Sequence, residues 1–465
     1  MLTRPGMEWW RASAHTASQG RWRNSPGASQ VADVDAMARI ARTPALAADA
    51  ELPFQALLAF TFILLLAPQV WFPFLAPLRI AFLAAILAML SHAFSRLSTN
   101  RPLLEFTPPL VPVVLLTMWA VGTVPFSYWP GGSVEYLMNL YFKTLIVFFL
   151  LTQVINSLRR LQTICWSLVL MAVPLTLSTI KNYLSGVSMS GSDRVVGYLA
   201  ALTGNPNDMA LMLNLILPVC VALFLAERAG GVRLFLGLTF LLMVLGIILT
   251  FSRAGFLTMG VSGLCYLWLL RARPERIWFA VLLVLAVAAL PLVPDSYVDR
   301  ITTIVEIEED ESGSAQTRVR DTRVALAVVL ANPIIGSGIG VNALAMNDAR
   351  GATWTEIHNV YLQYAVELGL PGLLLFLVLY FRCLGVTRHV LRRTRGQSPY
   401  RKLFCIAEGL QVSLIAFAVA GFFHPVAYHF YFYYMAGLAI AAGAVLRQQQ
   451  IQHGLVVQPT IGARP

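Results

Sequence analysis

His358 is the residue in this chain best placed by its neighbours to move a proton. It lies in Trp354-Thr-Glu-Ile-His358-Asn-Val-Tyr-Leu-Gln363, a polar segment that runs straight into an apolar one. Thr355 can cap a helix beginning at Glu356, which puts His358 in the first turn, where the helix dipole disfavours the imidazolium form. A neutral imidazole is what a general base requires. The same helix start favours a nearby anion, so a base and a phosphate site can share one small region. Glu356, Asn359, Tyr361 and Gln363 are near enough in sequence to orient the imidazole or a sugar. A lone histidine is more often structural, and what raises this one is the company of arginines.

Those arginines stand where membrane topology disfavours them. Arg194 lies in Gly191-Ser-Asp-Arg194-Val-Val-Gly-Tyr198, ahead of Thr203-Gly-Asn-Pro-Asn-Asp208; Arg253 lies in Thr250-Phe-Ser-Arg253-Ala-Gly255, a hairpin of a few residues between two apolar runs. Each can snorkel to lipid phosphate or hold a substrate phosphate with its planar fork. A further set falls in a stretch that reads as a helix from about 315 to 331, stopped by Asn332-Pro333. It carries Arg318, Arg320 and Arg323, with Arg320 and Arg323 on one face and Val319, Leu326 and Leu330 supplying apolar contacts to neighbouring helices or membrane. Arginines and a histidine in one polar interval are the ingredients of a site for a phosphorylated substrate.

Other motifs in the interval carry less. Gly336-Ser-Gly338-Ile-Gly340 can form a backbone nest for an anion, but no Walker lysine follows and no strand precedes it, so a flexible turn is the expectation. Glu306-Ile-Glu-Glu-Asp-Glu311 offers carboxylates to a divalent cation, but without ordered spacing a solvated loop is the simpler reading. The five cysteines lie in or beside apolar runs without a CxxC pair, so neither a disulfide framework nor a metal site is expected. No metal or other cofactor is called for.

The elements that position these residues follow from composition. With 465 residues, 57% of them hydrophobic, 12% charged and a mean hydropathy of +0.68, the chain reads as an all-α polytopic membrane protein. A membrane helix needs roughly 20 mostly apolar residues, and twelve stretches approach that: 54–70, 77–94, 108–126, 136–155, 163–184, 208–226, 234–251, 254–270, 277–293, 360–381, 404–423 and 428–446. They are continuously apolar, without the alternation of a barrel strand. A long polar loop separates the ninth from the tenth.

With the amino terminus inside, most of the 34 lysines and arginines fall in cytoplasmic segments. Both termini are then cytoplasmic and the long loop lies outside. The net charge of +11 is thereby explained by orientation and anionic inner-leaflet lipid, and nucleic acid is not needed as a partner. Residues 1–52 read as a disordered cytoplasmic tail without a signal peptide, with Met37 an alternative start, and 447–465 as a second cytoplasmic tail. A transporter is the rival class, but buried charge is sparse: Lys143 is the clearest case, with Lys181, Arg79 and Glu408 nearer the ends of their spans.

Gly204-Asn-Pro-Asn207, Phe251-Ser-Arg-Ala-Gly255, Arg318 ahead of Asn332-Pro-Ile-Ile-Gly-Ser-Gly338, and His358-Asn-Val-Tyr-Leu-Gln363 followed by Glu367-Leu-Gly-Leu-Pro-Gly372 resemble the O-antigen ligase and polymerase superfamily over roughly residues 195 to 385. The resemblance implies a glycan-transfer domain at 53–446 with its catalytic loop at 294–359, on the periplasmic side of a bacterial inner membrane. It implies transfer of a glycan from an undecaprenyl-pyrophosphate carrier to an acceptor hydroxyl without metal or nucleotide. The family's catalytic histidine corresponds to His358 and its diphosphate-binding arginines to Arg253 and Arg318. Thr322 stands where an aromatic residue is common in the family, which leaves Arg320 or Arg323 as alternatives to Arg318. Lipid A-core is the favoured acceptor; a growing O-antigen or exopolysaccharide chain, or a protein, would use the same donor chemistry.

Overall fold

The structure, a computed structural model, describes residues 51–188, 194–198, 200, 202–288, 314–351 and 353–452. The expected tail as far as residue 50, the acidic run Glu306–Glu311, the first part of the 294–359 loop and residues 453–465 lie outside the described residues. The helices are α1 (Glu51–Leu66), α2 (Ile80–Ser98), α3 (Leu110–Gly122), α4 (Pro130–Val154), α5 (Leu158–Leu184), α6 (Pro206–Ala226), α7 (Gly230–Leu249) and α8 (Arg253–Leu270). They continue with α9 (Arg276–Ala288), α10 (Ser314–Ala331), α11 (Asn342–Arg350), α12 (Val360–Thr394), α13 (Arg401–Ala420) and α14 (Phe430–Gln452). No strand occurs among the described residues, only one isolated bridge between Ser188 and Val195.

Each of the twelve apolar stretches contains a helix. Among the described residues, nine helices are long and apolar enough to cross a bilayer, while those of the first, third and ninth stretches are shorter. Helix length and composition among the described residues therefore support a multi-pass membrane protein.

The bundle is built around α6. Its residues from Met209 to Ala226 are all buried, as befits a helix that is apolar on every side. Helices α5, α7, α8 and α13 surround it. At one end Glu408 of α13 is buried and accepts a two-pronged bond from Arg273, at 2.7 and 2.9 Å. Lys143 does not carry buried charge, because its side chain is exposed on the outer surface of α4.

Helix α12 is broken at Gly369 (φ 67°, ψ −176°), which leaves the last carbonyls of its first segment without helical partners. The Gly336–Gly340 stretch fills the gap. Ser337 N–H donates to Val366 O (2.8 Å), Gly338 N–H to Glu367 O (2.9 Å), Trp119 Nε1 to Leu368 O (2.8 Å), and Leu370 N–H to Pro333 O (2.8 Å). In a hydrocarbon environment such satisfaction is what permits a break. The stretch is thus neither a flexible turn nor an anion nest but a fitted strap. Gly336, at φ 76°, lies where a Cβ would come 2.5 Å from the Glu367 carbonyl oxygen.

Candidate active site

Three helix N-termini meet at the end of the bundle away from Glu408. Asn205 caps α6, its side chain accepting from Asn207 N–H; Ser252 caps α8, accepting from Gly255 N–H; and Asn359 caps α12, accepting from Tyr361 and Leu362 N–H. Ser252 Oγ also donates to Asn207 Oδ1 at 2.9 Å, and Arg194 Nη2 donates to the same oxygen at 3.3 Å. Asn207 therefore joins the α7–α8 hairpin to the segment carrying Arg194. Phe251, in the left-handed region at φ 54° although not glycine, makes the tight corner that presents Ser252 and Arg253.

Beside these N-termini is a cavity of about 280 Å³ lined by Arg194, Asn207, Thr317, Arg318, Asp321, Thr355 and His358. The structure thus brings together three of the residues singled out from sequence, Arg194, Arg318 and His358, from three separate segments of the chain. Arg253 does not line this cavity; it is the first residue of α8, next to Ser252. Arg320 and Arg323 are exposed and away from it. Helix α10 turns Asp321, Ala325, Val328 and Val329 inward, against Ala345 and Met346 of α11 and Ala365 and Val366 of α12. Arg318, one turn before Asp321, shares that inward face, and Arg320 and Arg323 do not. Val319, Leu326 and Leu330, expected to meet neighbouring helices or membrane, are exposed and take no part in the helix–helix core.

His358 lies one residue before the cap, not in the first turn. Asn359 rather than Thr355 starts the helix, because its carboxamide reaches two free N–H groups at 2.9 and 3.1 Å. The imidazole Nδ1 lies 3.0 Å from Glu356 O. A carbonyl only accepts, so Nδ1 carries the proton and Nε2 keeps its lone pair. Desolvation, then the charge of Arg318, pushes the imidazole pKa below its ordinary value, partly opposed by the Glu356 carbonyl and Asp321. Nearby, buried His424 bridges Ala420 O (2.8 Å) and Asn207 O (3.2 Å), and burial lowers its pKa to about 4, so it is neutral.

A clamp that sequence reasoning missed fixes the histidine segment. Asn347 Oδ1 accepts from Thr353 and Trp354 N–H, both at 3.0 Å, and Asn342 Oδ1 accepts from Ile357 N–H at 3.0 Å. Arg350 Nη2 donates to Thr355 O at 2.7 Å, while Nη1 pairs with Asp321 at 2.5 Å in a nearly solvent-free contact. Three polar side chains of α11 thus hold successive residues ahead of His358, and Arg350 ties that segment to α10. Trp354 sits in the left-handed region (φ 50°), a conformation a bulky residue keeps only when its surroundings impose it. The only advance signal was the polar spacing Asn342, Asn347, Arg350 on a short helix.

The remaining sequence candidates divide. Glu356 is exposed beside the cavity, and Asn359 is a helix cap. Tyr361 turns away, its hydroxyl donating to Ala418 O at 2.7 Å and its ring against Phe422. Gln363 is buried and accepts from Ala427 N–H at 3.1 Å. Both hold the 421–429 turn in place. Among the described residues no three His, Cys, Asp or Glu side chains come together as a metal site.

Asp321 pairs with buried Arg350, Arg194 and Arg318 contribute guanidinium groups to the cavity lining, and three helix N-termini add positive potential beside it. The arrangement can hold an anion next to an unprotonated imidazole nitrogen. Fold and site together describe a multi-pass helical membrane protein with a polar anion-and-base site at one end of its bundle. Residues 238–377 match the family model described as O-antigen ligase, a match that contains Arg253, Arg318 and His358 and begins after Arg194 and Asn207. Over that segment the chain is similar to the O-antigen ligase family, and the match supports glycan transfer of the ligase and polymerase type in general. No curated protein matches the chain.

Proposed function

We propose that this protein transfers a glycan from an undecaprenyl-pyrophosphate carrier to an acceptor hydroxyl at the periplasmic face of a bacterial inner membrane, with lipid A-core as the acceptor. The observation that carries the reading is the shared cavity of Arg194, Arg318 and His358. A glycosyl diphosphate already holds a good leaving group. The chemistry left to the protein is to neutralise charge developing on the diphosphate and to take a proton from the acceptor.

The acceptor oxygen attacks the anomeric carbon as the bond from that carbon to the diphosphate oxygen breaks. The hydroxyl proton passes to His358 Nε2, and undecaprenyl pyrophosphate leaves with the bonding electrons. Arg318 and Arg194 act as fixed positive groups facing the leaving diphosphate, with Arg253 at its membrane side; in a site of low dielectric they need little reorganisation. General-base help of this kind contributes about 10²- to 10⁴-fold in rate. No second carboxylate of glycosidase type is needed. The distribution of lysine and arginine supports an outward-facing site and cytoplasmic termini.

The test is reconstitution of the purified chain with lipid-linked glycan and, separately, lipid A-core, a glycan repeat unit or an acceptor protein. Transfer to lipid A-core, lost in a well-inserted His358→Ala variant, is the expected result. Near-normal activity of that variant removes the histidine from the chemistry, and transfer only to another acceptor moves the reading to polymerisation or protein glycosylation.

A further inference from the structure

An apolar cavity of about 380 Å³ lies within the membrane bundle, between α6, α7, α8 and α9. Its floor is one face of α8, where Phe256, Gly260, Gly263 and Leu267 follow one another at helical spacing, and its walls include Ile248 of α7 and Phe279 of α9. From Phe256 to Leu267 this face runs about 16 Å at 1.5 Å per residue. A Cβ placed on Gly260 or Gly263 would meet no atom within 4 Å. Helix–helix packing therefore does not account for these glycines, since small residues at a helix contact serve to bring backbones together. Gly260 and Leu267 are exposed, so the groove opens sideways, in the direction from which a lipid-borne ligand arrives.

The upper end of the groove adjoins the polar site. Phe256 is one turn below Arg253, and Ser252, the residue before Arg253, donates to Asn207 in the wall of the arginine and histidine cavity. Apolar groove, guanidinium and anion cavity thus follow one another along a single path. An amphiphile with an apolar chain joined to a diphosphate has the same order of parts. A bilayer phospholipid shares the chain and one phosphate, but nothing draws its headgroup across Arg253 into a cavity that also holds a base.

We propose that this groove between α7, α8 and α9 binds the membrane-proximal isoprene units of the polyprenyl diphosphate donor, with Arg253 at the junction of chain and diphosphate. The proposal rests on the donor chemistry proposed above and adds where the chain lies. A chain held along α8 fixes the direction from which the diphosphate enters the cavity, so that chain binding lowers the donor's KM without touching the reacting atoms.

The test uses Gly260→Leu and Gly263→Leu in the full-length protein in nanodiscs. Each leucine projects into open groove space, so the variants should fold, and activity with a short-chain donor of one or two isoprene units checks that they do. The expected result is a tenfold or greater rise in KM for the undecaprenyl donor, with little change in kcat and none in either constant for the short-chain donor. Unchanged KM for the long donor, or equal loss with both donors, overturns the proposal. A photoreactive undecaprenyl diphosphate without glycan gives a readout independent of transfer. Labelling of α7–α9 that Gly260→Leu suppresses supports the groove even if no acceptor is glycosylated. Labelling confined to other helices, or labelling of the groove by a phospholipid probe but not by this one, rejects it even if transfer proceeds as proposed.

Discussion

At the residue scale, the environment of His358 leads to a pH dependence with a definite sign. Its pKa lies below the ordinary value, first through desolvation and next through the charge of Arg318. The neutral base therefore persists to lower pH than usual, and the acid limb of kcat/KM should fall off below the ordinary histidine value of about 6.5. Arg318→Gln removes a positive neighbour, so the limb should move towards higher pH. Arg318→Lys keeps the charge and should leave the limb in place, yet it replaces a planar fork with a point charge. If Arg318 binds the diphosphate through two hydrogen bonds, the lysine variant loses transfer efficiency by about 2 kcal/mol, the worth of a charge-assisted hydrogen bond. A lysine variant with wild-type kinetics would place Arg318 among the side chains that merely meet lipid headgroups. A limb that does not move in Arg318→Gln would separate it from His358.

At the element scale, the site depends on α11 and on the break in α12. Arg350 is a positioning residue: it touches Thr355 and Asp321 but does not line the cavity. Arg350→Ala leaves Asp321 buried with an uncompensated charge, and breaking such a pair typically costs about 3–5 kcal/mol. Its expected signature is a lower melting temperature together with a fall in kcat, partly rescued by Asp321→Asn in the same chain. Failure of that rescue would mean that Arg350 acts through Thr355 alone. Gly369→Ala tests the break. An alanine at φ 67°, ψ −176° occupies a region essentially reserved for glycine, at a cost of about 1–3 kcal/mol, and its Cβ would collide with the Ile334 carbonyl just before the strap. The expected outcome is loss of stability in detergent with parallel loss of transfer. A variant as stable as the parent would show that the break can straighten or shift.

At the scale of the whole molecule, the distribution of lysine and arginine predicts that the cavity end of the bundle faces outward. The α11–α12 connection containing exposed Trp354 lies at the end of the bundle that holds the cavity, and the Arg273–Glu408 pair lies at the other. Trp354→Cys in a background freed of the five native cysteines should react with a membrane-impermeant maleimide added to spheroplasts. Reaction only after the cells are broken open would invert the orientation and with it the periplasmic site.

What the sequence determined by itself is what depends on local composition and short spacing. Continuous apolar runs dictate helices in a solvent that cannot satisfy backbone groups, so the helical membrane class and the position of each apolar segment were legible. His358, Arg194 and Arg318 were legible as candidates because polar groups of that kind are costly near a membrane, and the structure places all three in the lining of one cavity. The family match over residues 238–377 contains the motifs from Phe251 to Gly372 that carried the resemblance, while Gly204-Asn-Pro-Asn207 lies outside it. Only the tertiary structure decided which arginines share a cavity with the histidine, because the choice among Arg318, Arg320 and Arg323 depends on how α10 is rotated against α11 and α12. The shift of the helix start from Glu356 to Val360 was beyond local reading, since threonine and asparagine are both good caps and long-range bonds to Asn342, Asn347 and Arg350 settle which is used. The glycines at 336–340 looked like a turn because permissiveness is all a sequence reveals about glycine. Their fit into the break of α12 arises from atoms some thirty residues away, where the carbonyls of Val366 and Glu367 have no helical partner and the strap supplies one.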